Sequence, residues 1–116
     1  MPQAAQSGGE AKFSRFWCHY LQAHAHAGTR ALHYIGTIVG LLSIIFAVFQ
    51  TNPWIALAGV VAAYLLAWTG HFLIERNRPC VYAHPLWSFI GNFRMFGLWL
   101  NGRLDRELLS CGVSED

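Results

Sequence analysis

Residues 31–74 read ALHYIGTIVGLLSIIFAVFQTNPWIALAGVVAAYLLAWTGHFLI and contain no Asp, Glu, Lys or Arg. Each half of this stretch is long enough to cross a bilayer as a helix, because a span needs about 20 apolar residues. Only the short segment QTNP, residues 50–53, separates the two halves. Pro53 suits the first turn of a helix, and so short a connection joins antiparallel neighbours. The stretch therefore predicts a transmembrane hairpin with spans at about 31–49 and 53–74.

The composition and the charge distribution agree with a membrane protein. Hydrophobic residues make up 54% of the 116 residues and charged residues only 12%, whereas soluble domains are about 25% charged. A net charge of +2 is too small to indicate a nucleic-acid partner. Every Lys and Arg lies before residue 31 or after residue 74, so the positive-inside rule predicts that both termini are cytoplasmic. The predicted location is a bacterial inner membrane, or the endoplasmic reticulum in a eukaryote.

Shorter helices are predicted on both sides of the hairpin. Residues 13–27 carry apolar side chains at spacings of three and four, which is typical of an amphipathic helix at an interface. The pair Gly28–Thr29 is predicted to end it. Residues 86–100 are apolar but contain polar side chains at the centre, so they predict an interfacial or re-entrant helix with Trp87 and Trp99 near the headgroups. The predicted fold class is all-α.

The domain boundaries follow from these elements. Residues 1–11 are predicted to be a disordered lead-in, residues 12–109 a single membrane-embedded helical domain, and residues 110–116 a polar tail. The cysteines are odd in number and form no CxxC motif, so they are predicted to be reduced thiols; they are Cys18, Cys80 and Cys111.

Small residues recur at four-residue spacing on both spans and predict close helix packing. In an antiparallel hairpin, Gly36 is expected to meet Ala67, and Gly40 is expected to meet Ala63.

Two histidines lie at the open end of the predicted hairpin. His33 and His71 are each about 17 residues from the turn, or roughly 25 Å at a rise of ~1.5 Å per residue. They are therefore predicted to lie at the same depth, where ionisable groups are costly and usually functional. Glu75 follows His71 by four residues, so it shares that helix face and could either bind the same metal or orient the imidazole.

Other histidines extend this cluster. His24 precedes the predicted break at Gly28–Thr29, which would bring it over the end of the hairpin, and His84 follows the second span. Imidazoles with one carboxylate favour iron, zinc or copper over magnesium or calcium. His19 and His26 have no such partner and are predicted not to bind metal. The predicted metal ligands and catalytic residues are His24, His33, His71 and Glu75, with His84 as a candidate further ligand.

Three arginines lie beside these histidines: Arg30, Arg76 and Arg78. Such residues usually anchor a span at the cytoplasmic surface, but clustered here they could also bind an anionic headgroup or the carboxylate of a substrate.

Three motifs follow one another along the chain: FWCHYLQAHAHAGTRALHYIGT (16–37), AWTGHFLIERNRP (67–79) and HPLWSFIGNFRMFGLWLNGRL (84–104). Over about residues 13–109 they resemble the 2-hydroxy fatty acid dioxygenase family, whose yeast member takes part in turning phytosphingosine into odd-numbered fatty acids. The resemblance implies a non-haem Fe(II) enzyme that uses O2 to shorten a 2-hydroxy fatty acid by one carbon. It also implies that the family's functional histidines correspond to His24, His33 and His71.

Two other functions are compatible with the residues alone. A haem-binding electron carrier could use His33 and His71 as axial ligands from facing helices. A membrane scaffold could use the histidines only structurally. Membrane di-iron hydroxylases fit less well, because as a class they use about eight histidines in HxxxH and HxxHH boxes, and this chain has six histidines and no such box.

Overall fold

A computed structural model of the protein describes residues 8–80 and 83–113. The predicted lead-in lies outside the described residues up to residue 7, as do residues 114–116 of the predicted tail. The helices are α1 (Gly8–Gln22), α2 (Ala27–Gln50), α3 (Pro53–Thr69), α4 (Pro85–Leu100) and α5 (Leu104–Ser110), and a π-helical segment, Gly70–Glu75, continues α3. Within the described residues the all-α prediction is confirmed.

The chain divides into two compact units. Residues 26–79 form the hairpin unit, which holds α2, α3 and the π-helical segment. The described residues up to 25 and from 80 onward form the terminal unit, which holds α1, α4 and α5.

In the hairpin unit, α2 and α3 pack against each other as predicted. The turn is built by local bonds: the Asn52 side chain accepts a hydrogen bond from the Trp54 N–H at 3.1 Å, and Pro53 opens α3. Most large side chains along both helices face outward, and Leu42, for example, is 61% exposed. By length and composition, α2 and the continuous helix Pro53–Glu75 could each cross a membrane.

The contact between α2 and α3 confirms one predicted pair and corrects the other. A Cβ on Gly40 would lie 3.7 Å from the Ala63 Cβ, as expected. Gly36 was expected to meet Ala67, but a Cβ there would lie 3.0 Å from the Ala63 carbonyl oxygen. Ala63 therefore sits between two glycines one turn apart, in the manner of a ridge packed into a groove.

The terminal unit is built on the apolar stripe of α1. Phe16, Trp17, Tyr20 and Leu21 are all at most 5% exposed, and α1 contacts both α4 and α5. The stripe predicted to face an interface is thus the core of this unit. Helix α5 was not predicted as an element, although all but its last residue lies within the predicted helical domain; it forms because Leu104 and Leu108, four residues apart, both bury their side chains.

The break between α1 and α2 occurs earlier than predicted. Helix α1 ends at Gln22, whereas Gly28 and Thr29 lie in the first turn of α2. The reason is a contact with a distant segment: His26 is extended at the N-cap position, and its N–H donates to the Glu75 carboxylate at 2.7 Å. An anionic acceptor at a helix N-terminus stabilises the start of the helix there.

A disulfide joins Cys18 on α1 to Cys111 after α5, with 5.0 Å between the Cα atoms. The prediction that these thiols are reduced is wrong in this structure. The two cysteines are 93 residues apart in sequence, so their spacing gave no sign of the pairing, which arises from the packing of α1 against α5.

The remaining cysteine, Cys80, should be nearly inert in the folded protein. Burial raises the pKa of its thiol to about 11, and only the thiolate reacts. At pH 8 about one thiol in 1,000 is then ionised, so its reaction with a disulfide reagent should be more than about 100-fold slower than that of an ordinary exposed cysteine. Thiol titration should count one cysteine in the denatured, unreduced protein and three after reduction. Fast labelling of Cys80 in the folded protein would contradict the burial of its thiol.

Candidate metal centre

His71 reaches its position because α3 does not finish as a regular helix. At Gly70 the helix widens into the π-helical segment, a conformation often found at functional sites. A Cβ on Gly70 would lie 2.8 Å from the Thr29 Cγ2 and 3.2 Å from the Thr29 Cα. Glycine therefore allows the segment to approach the backbone of α2 closely, and His71, which follows it, is 1% exposed.

His33 on α2 and His71 meet inside the hairpin unit. Their Nε2 atoms are 3.3 Å apart, and their ring planes are nearly perpendicular, at 89°. Both residues are buried. The prediction that the two histidines lie at the same level is confirmed.

The hydrogen bond on the far side of the His71 ring defines which of its two nitrogens carries the lone pair. The Nδ1 lies 2.9 Å from the Asn77 Oδ1, and because an amide oxygen can only accept, Nδ1–H is the donor. The lone pair is then on Nε2, which faces His33. Bonds of this kind fix the tautomer and orientation of metal-binding histidines.

Sequence reasoning missed Asn77. Arg76 adopts the left-handed conformation, with φ of 59°, and ends the π-helical segment. The chain then turns back, so that the Asn77 N–H donates to the His71 carbonyl at 2.9 Å while its side chain reaches the ring. The sequence showed this region only as a charged break before Pro79.

His24 lies just after α1 in the terminal unit and is fully buried. Its Nδ1 lies 2.6 Å from the Tyr20 carbonyl oxygen, so Nδ1–H donates there and Nε2 carries the lone pair. The imidazole also stacks on the Tyr20 ring at 4.1 Å between centroids. Its protonation and orientation are therefore fixed in the same way as those of His71.

Each of His24, His33 and His71 offers a ligand atom within 4.8 Å of the other two, so this group could hold a metal ion. The donor chemistry fits. Two nitrogens bound to one ion at about 2.1 Å, in neighbouring coordination positions, lie about 3.0–3.4 Å apart, and the His33–His71 separation of 3.3 Å falls in that range. Three buried imidazoles suit iron, zinc or copper.

The other predicted site residues lie outside this group of three. Glu75 uses its carboxylate to accept the His26 N–H. His84 belongs to the terminal unit, where it stacks on Trp87 and meets the edge of Phe16.

The three predicted substrate-binding arginines differ in exposure. Arg30 is 6% exposed, whereas Arg76 and Arg78 are exposed. Arg30 precedes His33 by three residues on α2, so it projects from nearly the same side of that helix.

Thr29 is a further polar residue at this site that the sequence did not single out. It is fully buried, and its hydroxyl has no hydrogen-bond partner among the described residues. It lies one turn before His33 on α2 and contacts Gly70, the neighbour of His71. A buried hydroxyl without a partner costs about 1–3 kcal/mol, so this hydroxyl is a candidate group for binding a ligand at the site.

Comparison with known proteins gives one match. The family described as "Mpo1-like: 2-hydroxy-palmitic acid dioxygenase Mpo1-like" matches residues 10–104, which include all three histidines of the group. No curated protein and no solved structure matches the chain.

Proposed function

The chain belongs to the Mpo1-like family of 2-hydroxy-palmitic acid dioxygenases, and from this we propose that it is an Fe(II)-dependent membrane dioxygenase that shortens 2-hydroxy fatty acids by one carbon. The observation that carries the proposal is the buried group of His24, His33 and His71 within the matched region. The test is product analysis: iron-loaded protein given O2 and a 2-hydroxy fatty acid should release the acid one carbon shorter.

The reaction balances without any further reductant. A 2-hydroxy acid, R–CH(OH)–COOH, plus O2 gives R–COOH, CO2 and H2O. The bond between the first two carbons breaks, both carbons are oxidised, and O2 takes up all four electrons. The proposal therefore requires no nicotinamide or flavin site, which suits a chain this small.

The protein's own residues would hold the iron and place the substrate. We assign His24, His33 and His71 as ligands, with Asn77 and the Tyr20 carbonyl fixing two of the rings. Bound iron would supply the positions at which O2 and the two oxygens of the 2-hydroxy acid bind. Burial of the histidines would limit access of water to the site.

The His33–His71 geometry supports this function over a haem carrier. Axial ligands on opposite faces of a haem iron must be about 4 Å apart, at about 2 Å from the metal on each side. The observed 3.3 Å instead fits two neighbouring positions on one small ion.

Thr29 is proposed to bind an oxygen of the substrate. Thr29→Val keeps the shape of the side chain but removes the hydroxyl. We expect it to lower kcat/KM about 10-fold, equivalent to about 1.4 kcal/mol for one lost hydrogen bond. Iron content should not change, and Thr29→Ser should retain most of the activity. If Thr29→Val were fully active, the hydroxyl would have no role in binding.

The hairpin is proposed to span the membrane with both termini in the cytoplasm. A cysteine at Asn52, in the turn, and one at Arg103, before α5, should then react with an impermeant reagent from opposite sides of sealed vesicles, in a background with all three native cysteines replaced by Ser. Labelling of both from one side would refute the topology.

A cytoplasmic terminal unit also predicts that Cys18 and Cys111 stay reduced in cells and pair on purification in air.

A further inference from the structure

A basic cavity of about 340 Å³ lies in the terminal unit, and the proposed reaction does not use it. Lys12, Arg15 and His19 project from one side of α1, because they are three and four residues apart. His84 and Trp87, at the start of α4, and Phe16 complete the lining. Among the side chains that the structure describes, which begin at Lys12, no Asp or Glu lines the cavity. Five side chains that can donate hydrogen bonds, those of Lys12, Arg15, His19, His84 and Trp87, thus line one space, and none of them is a carboxylate.

The aromatic part of the cavity is well packed. Phe16 lies 5.5 Å from Trp87 between ring centroids and is 5% exposed. His84 stacks on Trp87 at 5.3 Å, with 22° between the planes. His84 is therefore held in place by ring contacts with Trp87 and Phe16.

Lys12 and Arg15 are the two strong cations in the lining. No carboxylate among the described side chains pairs with Lys12 or Arg15, whereas Arg94, in the same unit, has Glu107 at 3.7 Å and Trp17 beneath its guanidinium. Concentrated positive charge without a paired carboxylate favours an anionic ligand.

The surface next to the cavity is apolar and exposed. Helix α4 continues from Trp87 with Phe89 and Ile90, which are 57% and 45% exposed, and Leu86 before it is 68% exposed. A ligand that combined an anionic head with hydrocarbon chains would match both surfaces. Tryptophan beside basic residues is also the usual arrangement at the level of lipid headgroups.

We propose that this cavity binds the phosphate of an anionic phospholipid headgroup, with the acyl chains against the exposed face of α4. Several donors around one space suit the multiple oxygens of a phosphate better than they suit a single carboxylate. The proposal is independent of the oxygenase function, since it uses no residue of the histidine group.

The test is a lipid-binding titration of the detergent-solubilised protein, in which binding is measured as a change in tryptophan fluorescence. Dioleoyl phosphatidylglycerol should bind at least about 10-fold more tightly than dioleoyl phosphatidylcholine. Each basic residue near an anionic lipid contributes about fivefold in affinity. Arg15→Gln should therefore weaken phosphatidylglycerol binding about fivefold. The double variant Lys12→Gln/Arg15→Gln should weaken it about 30-fold.

The matched control is Arg103→Gln/Arg106→Gln, which removes the same charge from exposed positions on and beside α5. It should change the affinity less than about twofold. If both double variants lost phosphatidylglycerol affinity equally, the effect would come from net charge alone, and the proposed site would be refuted. Equal affinity for both lipids, displacement by millimolar inorganic phosphate, or tighter binding of oleate would each overturn the phospholipid assignment.

Discussion

Replacement of His71 by Ala should abolish stoichiometric iron binding in the purified protein. His71 is buried, its Nδ1–H is held by Asn77, and its Nε2 faces that of His33 at 3.3 Å. Removing one of three imidazoles leaves too few protein ligands to compete with chelation by buffer. His33→Ala and His24→Ala should have the same result, measured as iron per chain after anaerobic reconstitution and desalting.

The protein contains matched controls for this experiment. His19→Ala, His26→Ala and His84→Ala each remove an imidazole from outside the group of three, so each should keep full iron. Circular dichroism of every variant separates loss of the metal from loss of the helices. Full iron in His71→Ala would refute the site as assigned, whatever the activity of the variant.

Residues that act on the ligands rather than on the metal should have smaller effects. Asn77→Leu removes the acceptor for the His71 Nδ1–H and should weaken iron binding about 10–100-fold, whereas Asn77→Asp should retain it. Glu75→Ala should weaken binding by a similar factor, either as a lost ligand or because the start of α2 loses the acceptor for the His26 N–H.

The predictable part of this site follows from chain geometry. An uncharged stretch with one short turn requires two antiparallel helices, and equal distance from that turn places His33 and His71 opposite each other. Asn77 could not be found in this way, since it reaches the ring through a π-helical segment and a left-handed residue that no periodicity indicates. The Cys18–Cys111 bond and the burial of the α1 stripe depend on contacts between distant segments, which a pattern along one helix cannot reveal.

The position of the break between α1 and α2 also depends on a contact between distant segments, which is why the sequence placed it too late. Gly28 and Thr29 appeared to be helix breakers, but a glycine near the start of a helix costs little when an outside group satisfies the free N–H donors. Here that group is the Glu75 carboxylate, 49 residues away from His26. The side chain predicted as a metal ligand thus has a second role that decides where α2 begins.

The iron-loaded protein should convert a long-chain 2-hydroxy fatty acid to the acid one carbon shorter, and removal of either iron or O2 should stop the reaction completely. Mass spectrometry of the products measures the outcome. An unsubstituted fatty acid of the same length should bind without being converted, because its carboxylate lacks the neighbouring hydroxyl that gives the substrate two donor oxygens and fixes its first two carbons. An added nicotinamide or flavin should not raise the rate, since O2 accepts every electron in the balanced reaction.

Arg30 allows substrate binding to be separated from metal loss in the same assay. It is buried and lies three residues before His33, whereas Arg76 and Arg78 are exposed, so it is the arginine that we expect to bind the carboxylate. Arg30→Gln should keep its iron, while kcat/KM falls by about 10–100-fold, as for loss of a charged hydrogen bond worth about 1.5–3 kcal/mol. Arg78→Gln, at an exposed position, is the control and should stay within about twofold. Equal conversion of hydroxylated and unsubstituted acids, or conversion of neither by protein with full iron, would leave the histidine group as a metal site but refute the proposed reaction.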